Sequence, residues 1–220
     1  MSAGRTPLTP ALIAWLDSTA VIPAPVRALH ERMAGDEWEE MMTHPDLGGL
    51  LASLVAITGG HRVLEIGTFV GTSALWMADA LAADGHIDCL EVDQARADTA
   101  ATHIREAGFH DQVTVHVGPA LDTLSALAPG YDLAYIDADK PAYTAYLSAC
   151  TRLVRPGGVI VADNVLGGGV DDDRARDLRA FAEGALGDPA LRTVVLPIGD
   201  GVTLSVVRAR HDGSGPDPRD

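Results

Sequence analysis

The pattern of hydrophobic and polar positions changes period once along the chain. Through the first sixty residues apolar positions recur at helical spacing. Thr9-Pro10 supplies an N-cap and a first-turn proline for a helix carrying Leu12, Ile13 and Leu16, and Pro25 opens a second with Val26, Leu29 and Met33. A third helix begins near Asp46, with Leu47, Leu50, Leu51, Leu54 and Val55 on one broad face. From Arg62 onward, short β-branched or apolar runs alternate with helical segments, the signature of βα units around a mainly parallel sheet. The pattern predicts strands at 62–66, 86–91, 113–116, 133–136 and 159–162. It predicts helices starting near Thr72, Asp93, Ala120 and Lys140; the Asp93 helix has a capping aspartate and a stop at Gly108. After a helix over 172–184, the runs 192–197 and 202–208 flank Gly199-Asp200-Gly201 as an antiparallel hairpin, so the predicted sheet is mixed and seven-stranded. No clear linker parts the helices of 1–60 from the α/β core of 61–210, which predicts one domain over 1–210. The polar, Gly-, Pro- and Asp-rich residues 211–220 predict a disordered tail.

Composition narrows the function classes. The chain has 220 residues, 47% apolar and 21% charged, enough for a sizeable core. A net charge of -15, with only 16 scattered Lys and Arg, argues against a nucleic-acid partner. The longest apolar stretch, around 50–57, is far short of a bilayer span, and the N-terminus lacks a signal-peptide layout. No membrane partner and a cytoplasmic location are expected. Cys89 and Cys150 sit in apolar-periodic segments without ligand spacing and read as reduced core residues.

The chemistry begins at the first strand-turn-helix unit, Val63-Leu64-Glu65-Ile66-Gly67-Thr68-Phe69-Val70-Gly71-Thr72-Ser73, where an α/β sheet binds a nucleotide-like cofactor. Gly67 permits close backbone approach and Gly71 close helix packing, but Gly-x-x-x-Gly is not the dinucleotide fingerprint. Glu65, just ahead of the loop, repels a pyrophosphate and tolerates the sulfonium and amino group of S-adenosylmethionine. Glu91 ends the next predicted strand, where a carboxylate accepts hydrogen bonds from both ribose hydroxyls. Two further strand ends carry Asp137-Ala138-Asp139-Lys140 and Asp163-Asn164. The oxygen-only set Asp137, Asp163 and Asn164 suits Mg2+ or a similar divalent cation. An ortho-diphenol fits its remaining positions, and the ion would acidify and orient the attacking hydroxyl. A lysine beside a cation is pushed toward its neutral form, so Lys140 is the candidate base, with Asp137 the other residue expected to carry the chemistry.

These motifs give the chain a resemblance to the cation-dependent O-methyltransferases, the family of catechol and caffeoyl-coenzyme A O-methyltransferases and their small bacterial relatives. The likeness spans roughly 41–207. It is carried by Met41-Met42-Thr43 with Gly48, Leu64-Glu65-Ile66-Gly67, Gly118-Pro119-Ala120-Leu121, Tyr131-Asp132-Leu133 through Lys140 with Tyr143 and Tyr146, Gly157-Gly158 through Asp163-Asn164, and Gly199-Asp200-Gly201. The resemblance implies a Rossmann-like S-adenosylmethionine-dependent methyltransferase fold with extra N-terminal helices, S-adenosylhomocysteine as product, a small aromatic acceptor and a homodimer. It implies cofactor contacts from Thr43, Glu65, Gly67, Thr68, Ser73, Glu91, Ala120 and Asp139, metal contacts from Asp137, Asp163 and Asn164, and Lys140 as base. Gly167-Gly168-Gly169 stands where the plant members place a polar substrate contact, which argues against a caffeoyl-coenzyme A preference.

Other features have simpler readings. His44, His61, His103 and His110 lack ligand spacing and read as structural or solvated. Trp76 reads as packing or as an adenine-side wall. Trp38 could contact an aromatic acceptor, although core packing suits it better. Asp171-Asp172-Asp173 reads as a helix N-terminus. Two rivals to the methyltransferase remain: a nicotinamide-dependent oxidoreductase on the same architecture, and a catalytically silent cofactor-binding module.

Overall fold

Arg62–Ile66 (β1), His86–Glu91 (β2), Val113–Val117 (β3), Tyr131–Ile136 (β4), Val154–Ala162 (β5), Leu191–Leu196 (β6) and Val202–Val207 (β7) form one seven-stranded sheet in the order β3-β2-β1-β4-β5-β7-β6. The computed structural model describes residues 9–167 and 173–209. Strands β1 to β5 are parallel, and β7 pairs antiparallel with both β5 and β6, so β7 alone runs against the rest. The helices are Pro10–Thr19 (α1), Ala24–Met33 (α2), Pro45–Thr58 (α3), Thr72–Ala78 (α4), Gln94–Glu106 (α5), Ala120–Ala126 (α6), Tyr143–Leu153 (α7) and Asp173–Gly187 (α8). None of the described helices is long and apolar enough to cross a membrane.

Both faces of the sheet are covered, which is why its strands read as near-continuous apolar runs. On one face Val63, Leu133 and Val161 pack with Val26 and Leu29 of α2, Leu51 and Val55 of α3, Leu75 and Met77 of α4 and Ile104 of α5. On the other, Leu64, Ile66, Ile136 and Ile160 pack with Leu124 of α6, Leu147 of α7 and Leu178 and Phe181 of α8. Leu51 and Val55 are fully buried, and each such side chain contributes about 1.5–3 kcal/mol. That burial fastens α3 to the sheet and so fixes the segment ahead of it, which reaches the site. Both cysteines are free and buried.

The helix ends follow local chemistry. Thr9 Oγ1 accepts from Leu12 N, Asp93 accepts from Arg96 N at 2.9 Å, and Gly59 closes α3 in the left-handed region. β1 and β2 occupy their predicted spans, while β4 and β5 start earlier than expected. β5 runs through Pro156-Gly157-Gly158, ahead of the predicted start at Val159, with a register shift against β4 between Tyr131 and Leu133. Gly158 lies so close to β4 that a Cβ would come within 2.7 Å of the Asp132 carbonyl oxygen. The helix predicted near Lys140 begins as a 3-10 turn, Lys140–Ala142, before α7 proper. Asp173 opens α8, whereas Asp171, Asp172, Gly168, Gly169 and the tail at 211–220 lie outside the described residues.

Candidate active site

β1 lies between β2 and β4, so the chain winds outward in opposite directions from it, and an α/β sheet opens a crevice at such a switch point. A cleft of about 1180 Å³ opens there, beyond the carboxyl ends of the strands. Thr43, Gly67, Thr68, Ser73, Glu91, Ala120, Asp137, Asp139, Lys140, Asp163 and Asn164 all line it. Of the expected site residues, Glu65 alone does not.

The loop after β1 brings its backbone hard against β4. Gly67 has φ +90°, and a Cβ there would stand 2.1 Å from the Asp137 carbonyl oxygen. Gly67 N donates to Leu90 O and Asp137 N to Ile66 O, each at 2.9 Å, which locks loop and strands together. Gly67→Ala is therefore expected to lower stability by about 2–4 kcal/mol, through the left-handed backbone and the overlap. Urea unfolding measures this; an unchanged midpoint would show that the loop yields without cost.

Glu65 lies beneath this loop, fully buried. Both its oxygens are engaged, one accepting from Thr68 Oγ1 and the other from Ser73 Oγ. Burial pushes its carboxyl up, against the pull of those two hydroxyls. Glu65 thus orients Thr68 and Ser73, both of which line the cleft. Thr72, at the start of α4, does line the cleft; it is buried, and its Oγ1 has no hydrogen-bond partner among the described residues. An unsatisfied buried hydroxyl costs about 1–3 kcal/mol.

Glu91 ends β2 with one oxygen accepting from Phe69 N at 2.9 Å and the other from Asp93 N at 3.0 Å. A carboxylate oxygen has a second lone pair, so both can still accept from a ligand. Phe69 holds φ +50°, uncommon for a non-glycine residue, and its ring is met edge-on by Trp38 at 5.4 Å and by the Arg96 guanidinium at 5.3 Å. Trp38 packs against the core and Phe69 and does not line the cleft, so packing is its role. Trp76 is likewise packing, with Gly48 set against its indole. Gly118, Pro119, Ala120 and Leu121 form the wall beyond Glu91.

At the other end, Lys140 Nζ donates to Asp137 Oδ1 at 2.7 Å, Asn164 Oδ1 at 2.5 Å and the Tyr143 hydroxyl at 2.7 Å. Asn164 adopts φ +62°, a conformation asparagine tolerates. Asp163 Oδ1 accepts from Asn164 N at 2.6 Å. The fully buried Tyr135 hydroxyl lies 3.3 Å from Asp163 Oδ2 and 3.5 Å from Asp137 Oδ2. Burial, then the neighbouring Asp137, push the Asp163 carboxyl up to about 6. The Tyr146 hydroxyl donates to Asp139 Oδ1.

Sequence reasoning missed Phe69, Thr72, Arg96 and Tyr135, and it set His44 aside although that residue lines the cleft. Tyr135 had a signal: in a strand, positions two apart share a face, so it points with Asp137. His61 pairs with Asp84, His103 Nδ1 with Val70 O and His110 with Asp111, as structural or solvated groups do.

Comparison with known proteins supplies the context for this geometry. Residues 18–208 match the family model described as O-methyltransferase. The chain is 39% identical to the catechol O-methyltransferase of Mycobacterium tuberculosis, over 94% of this chain and all of the relative. It is 34% identical to caffeoyl-CoA O-methyltransferase 2 of Zea mays, over 83% of this chain and 76% of that one. Among solved structures, an O-methyltransferase from Bacillus cereus in complex with S-adenosylhomocysteine superposes with a TM-score of 0.80 at 30% identity, covering 90% of this chain and 97% of that one. With a family match across almost the whole chain and relatives above 30% identity on either side of it, this chain belongs to the O-methyltransferase family.

Proposed function

We propose that the protein transfers a methyl group from S-adenosylmethionine to one hydroxyl of a vicinal dihydroxy aromatic, with a divalent cation held by Asp137, Asp163 and Asn164. The observation that carries this reading is the convergence of Asp137 Oδ1 and Asn164 Oδ1 on one positive charge, the Lys140 ammonium, at the end of the cleft opposite Glu91. Two oxygens already aimed at a cation, with a buried carboxylate beside them, fit a hard divalent ion. Asn164 is integral to the set, since among the described residues no group of three or more His, Cys, Asp and Glu is placed to hold a metal. The name of the Mycobacterium tuberculosis relative and the ligand of the Bacillus cereus structure support the acceptor class and the methyl donor.

Glu91 holds the ribose hydroxyls through its two free lone pairs, and Gly118 to Leu121 wall the adenine end. Lys140 as the neutral amine, with the cation in place of its own charge between Asp137 and Asn164, would take the proton from the attacking hydroxyl at Nζ, while Asp137 and Asn164 orient the amine. A divalent cation held by Asp137, Asp163 and Asn164 would supply electrostatic stabilisation of the negative charge that develops on the acceptor oxygen. As the oxygen–carbon bond forms, the sulfur–carbon bond breaks, leaving S-adenosylhomocysteine and a protonated Lys140. Membership of the O-methyltransferase family answers the nicotinamide rival.

The deciding experiment is labelled-methyl transfer to catechol, phenol and resorcinol with Mg2+ and with excess chelator. Transfer is expected to catechol alone and only with the cation. Equal turnover in chelator refutes the metal, equal turnover of phenol refutes vicinal chelation, and no transfer to any acceptor revives the silent module.

A further inference from the structure

The Gly199-Asp200-Gly201 motif is left without a task by the chemistry above. It forms the turn between β6 and β7, and Gly199 and Asp200 line the cleft. Backbone hydrogen bonds fix it there. Gly201 N donates to Ile198 O at 2.8 Å within the turn, while Val165 N donates to Gly201 O and Leu166 N to Asp200 O, each at 2.9 Å. Gly201 has φ +85°, and a Cβ there would stand 2.3 Å from Leu166 Cγ, so glycine is what lets the turn close on this loop. Asp200 is therefore one hydrogen bond and two residues of chain from Asn164, within roughly 10 Å of it.

The carboxylates of the cleft differ in how they are engaged. Asp137 accepts from Lys140, Asp139 from Tyr146, Asp163 from the Asn164 backbone, and Glu91 from Phe69 N and Asp93 N. Asp200 is exposed, and its carboxylate has no hydrogen-bond or ion-pair partner among the described residues. Two Lys and Arg side chains line the cleft, and neither neutralises it. Lys140 is committed to Asp137, Asn164 and Tyr143, and Arg96 lies by the Phe69 ring on the helix after β2, three strands along the sheet from β5. On the reading above, on which this inference rests, the acceptor hydroxyls meet Lys140, Asp137 and Asn164, and a divalent ion there is already matched by the charges of Asp137 and Asp163. We propose that Asp200 selects the acceptor by the charge of its ring substituent, so that the preferred substrate is a vicinal dihydroxy aromatic bearing a protonated amine on a short chain. A benzene ring and a two-carbon chain bridge the separation between Asn164 and Asp200. An open carboxylate at that distance attracts an ammonium and repels a carboxylate, which gives both halves of a specificity.

Steady-state methyl transfer with Mg2+ to dopamine, 4-ethylcatechol and 3,4-dihydroxyphenylacetate tests this, since the three share a catechol and differ in the charge of the substituent. Wild-type kcat/KM is expected to fall in that order, by about tenfold or more from first to last and mainly through KM. Raising the salt from roughly 0.05 M to 0.5 M should narrow the spread, because exposed charges are screened. Asp200→Asn keeps the shape and removes the charge. Measured against 4-ethylcatechol, it is expected to lower kcat/KM for dopamine and raise it for dihydroxyphenylacetate, each about threefold. A wild-type protein that treats the three alike, or an Asp200→Asn variant that keeps the wild-type ratios, overturns the proposal and leaves catechol methylation standing. Glu40 is the other carboxylate of the cleft without a partner among the described residues, on the segment ahead of α3. If Glu40→Gln levels the three acceptors and Asp200→Asn does not, the assignment to Asp200 is wrong. If the wild type methylates none of the three, the acceptor reading falls, and this inference with it.

Discussion

Asp137→Ala is expected to lower kcat/KM on catechol by about 10³-fold or more, because a bound cation contributes several kcal/mol to the transition state and each tenfold is about 1.4 kcal/mol. Two functions are lost at once, since Asp137 Oδ1 is both an oxygen aimed at the cation position and a partner of Lys140 Nζ at 2.7 Å. The Asp137 side chain is 37% exposed, so its removal leaves the core intact and the melting temperature should move little. Binding of S-adenosylhomocysteine should persist, because Glu91, the loop after β1 and the wall from Gly118 to Leu121 are untouched. Asp137→Asn separates the charge from the shape. It keeps an oxygen in place, so excess Mg2+ should restore part of the activity in Asn and none in Ala. Wild-type turnover by Asp137→Ala would reduce the cluster to an ordinary ion pair and end the metal reading.

The sequence exposes the scaffold of this site more fully than its interior. β1 and β2 read correctly because each is a short apolar run buried on both faces and bounded by turn residues. β4 and β5 were cut short because proline and glycine usually punctuate a strand, and local pattern says nothing of a register shift made by two strands together. The same limit applies to the side chains. Position at a strand end places Glu65, Glu91, Asp137 and Asp163 on one rim, but only tertiary packing distinguishes Glu91, in the cleft, from Glu65, beneath it. Thr72 and Phe69 carry no chemical signature in sequence. What singles them out is an orphaned hydroxyl and a positive φ, both products of the folded loop. The cluster of Asp137, Asp163 and Asn164 was legible because its residues fall in two short runs at the ends of adjacent strands. The position of Lys140 between two of its oxygens was not.

Lys140→Ala is the second large loss expected, about 10²-fold or more in kcat on catechol, the usual contribution of a positioned general base. The size of the loss does not by itself identify a base, because Lys140 also holds Asp137, Asn164 and the Tyr143 hydroxyl together through three hydrogen bonds. The two roles respond differently to the acidity of the acceptor. A base matters most when the phenol holds its proton tightly, and hardly at all when the phenol is already ionised in solution. Across a series from catechol to nitrocatechol, the deficit of Lys140→Ala should therefore shrink steadily as the acceptor becomes more acidic. A small primary amine diffusing into the space left by the side chain should recover part of the activity on catechol. Lys140→Met, which keeps the stem but lacks the ammonium, should show the same dependence on acceptor acidity while leaving no room for amine rescue. If the deficit is instead the same for every acceptor and no amine restores it, Lys140 is a positioning residue for Asp137 and Asn164, and the proton leaves by another route.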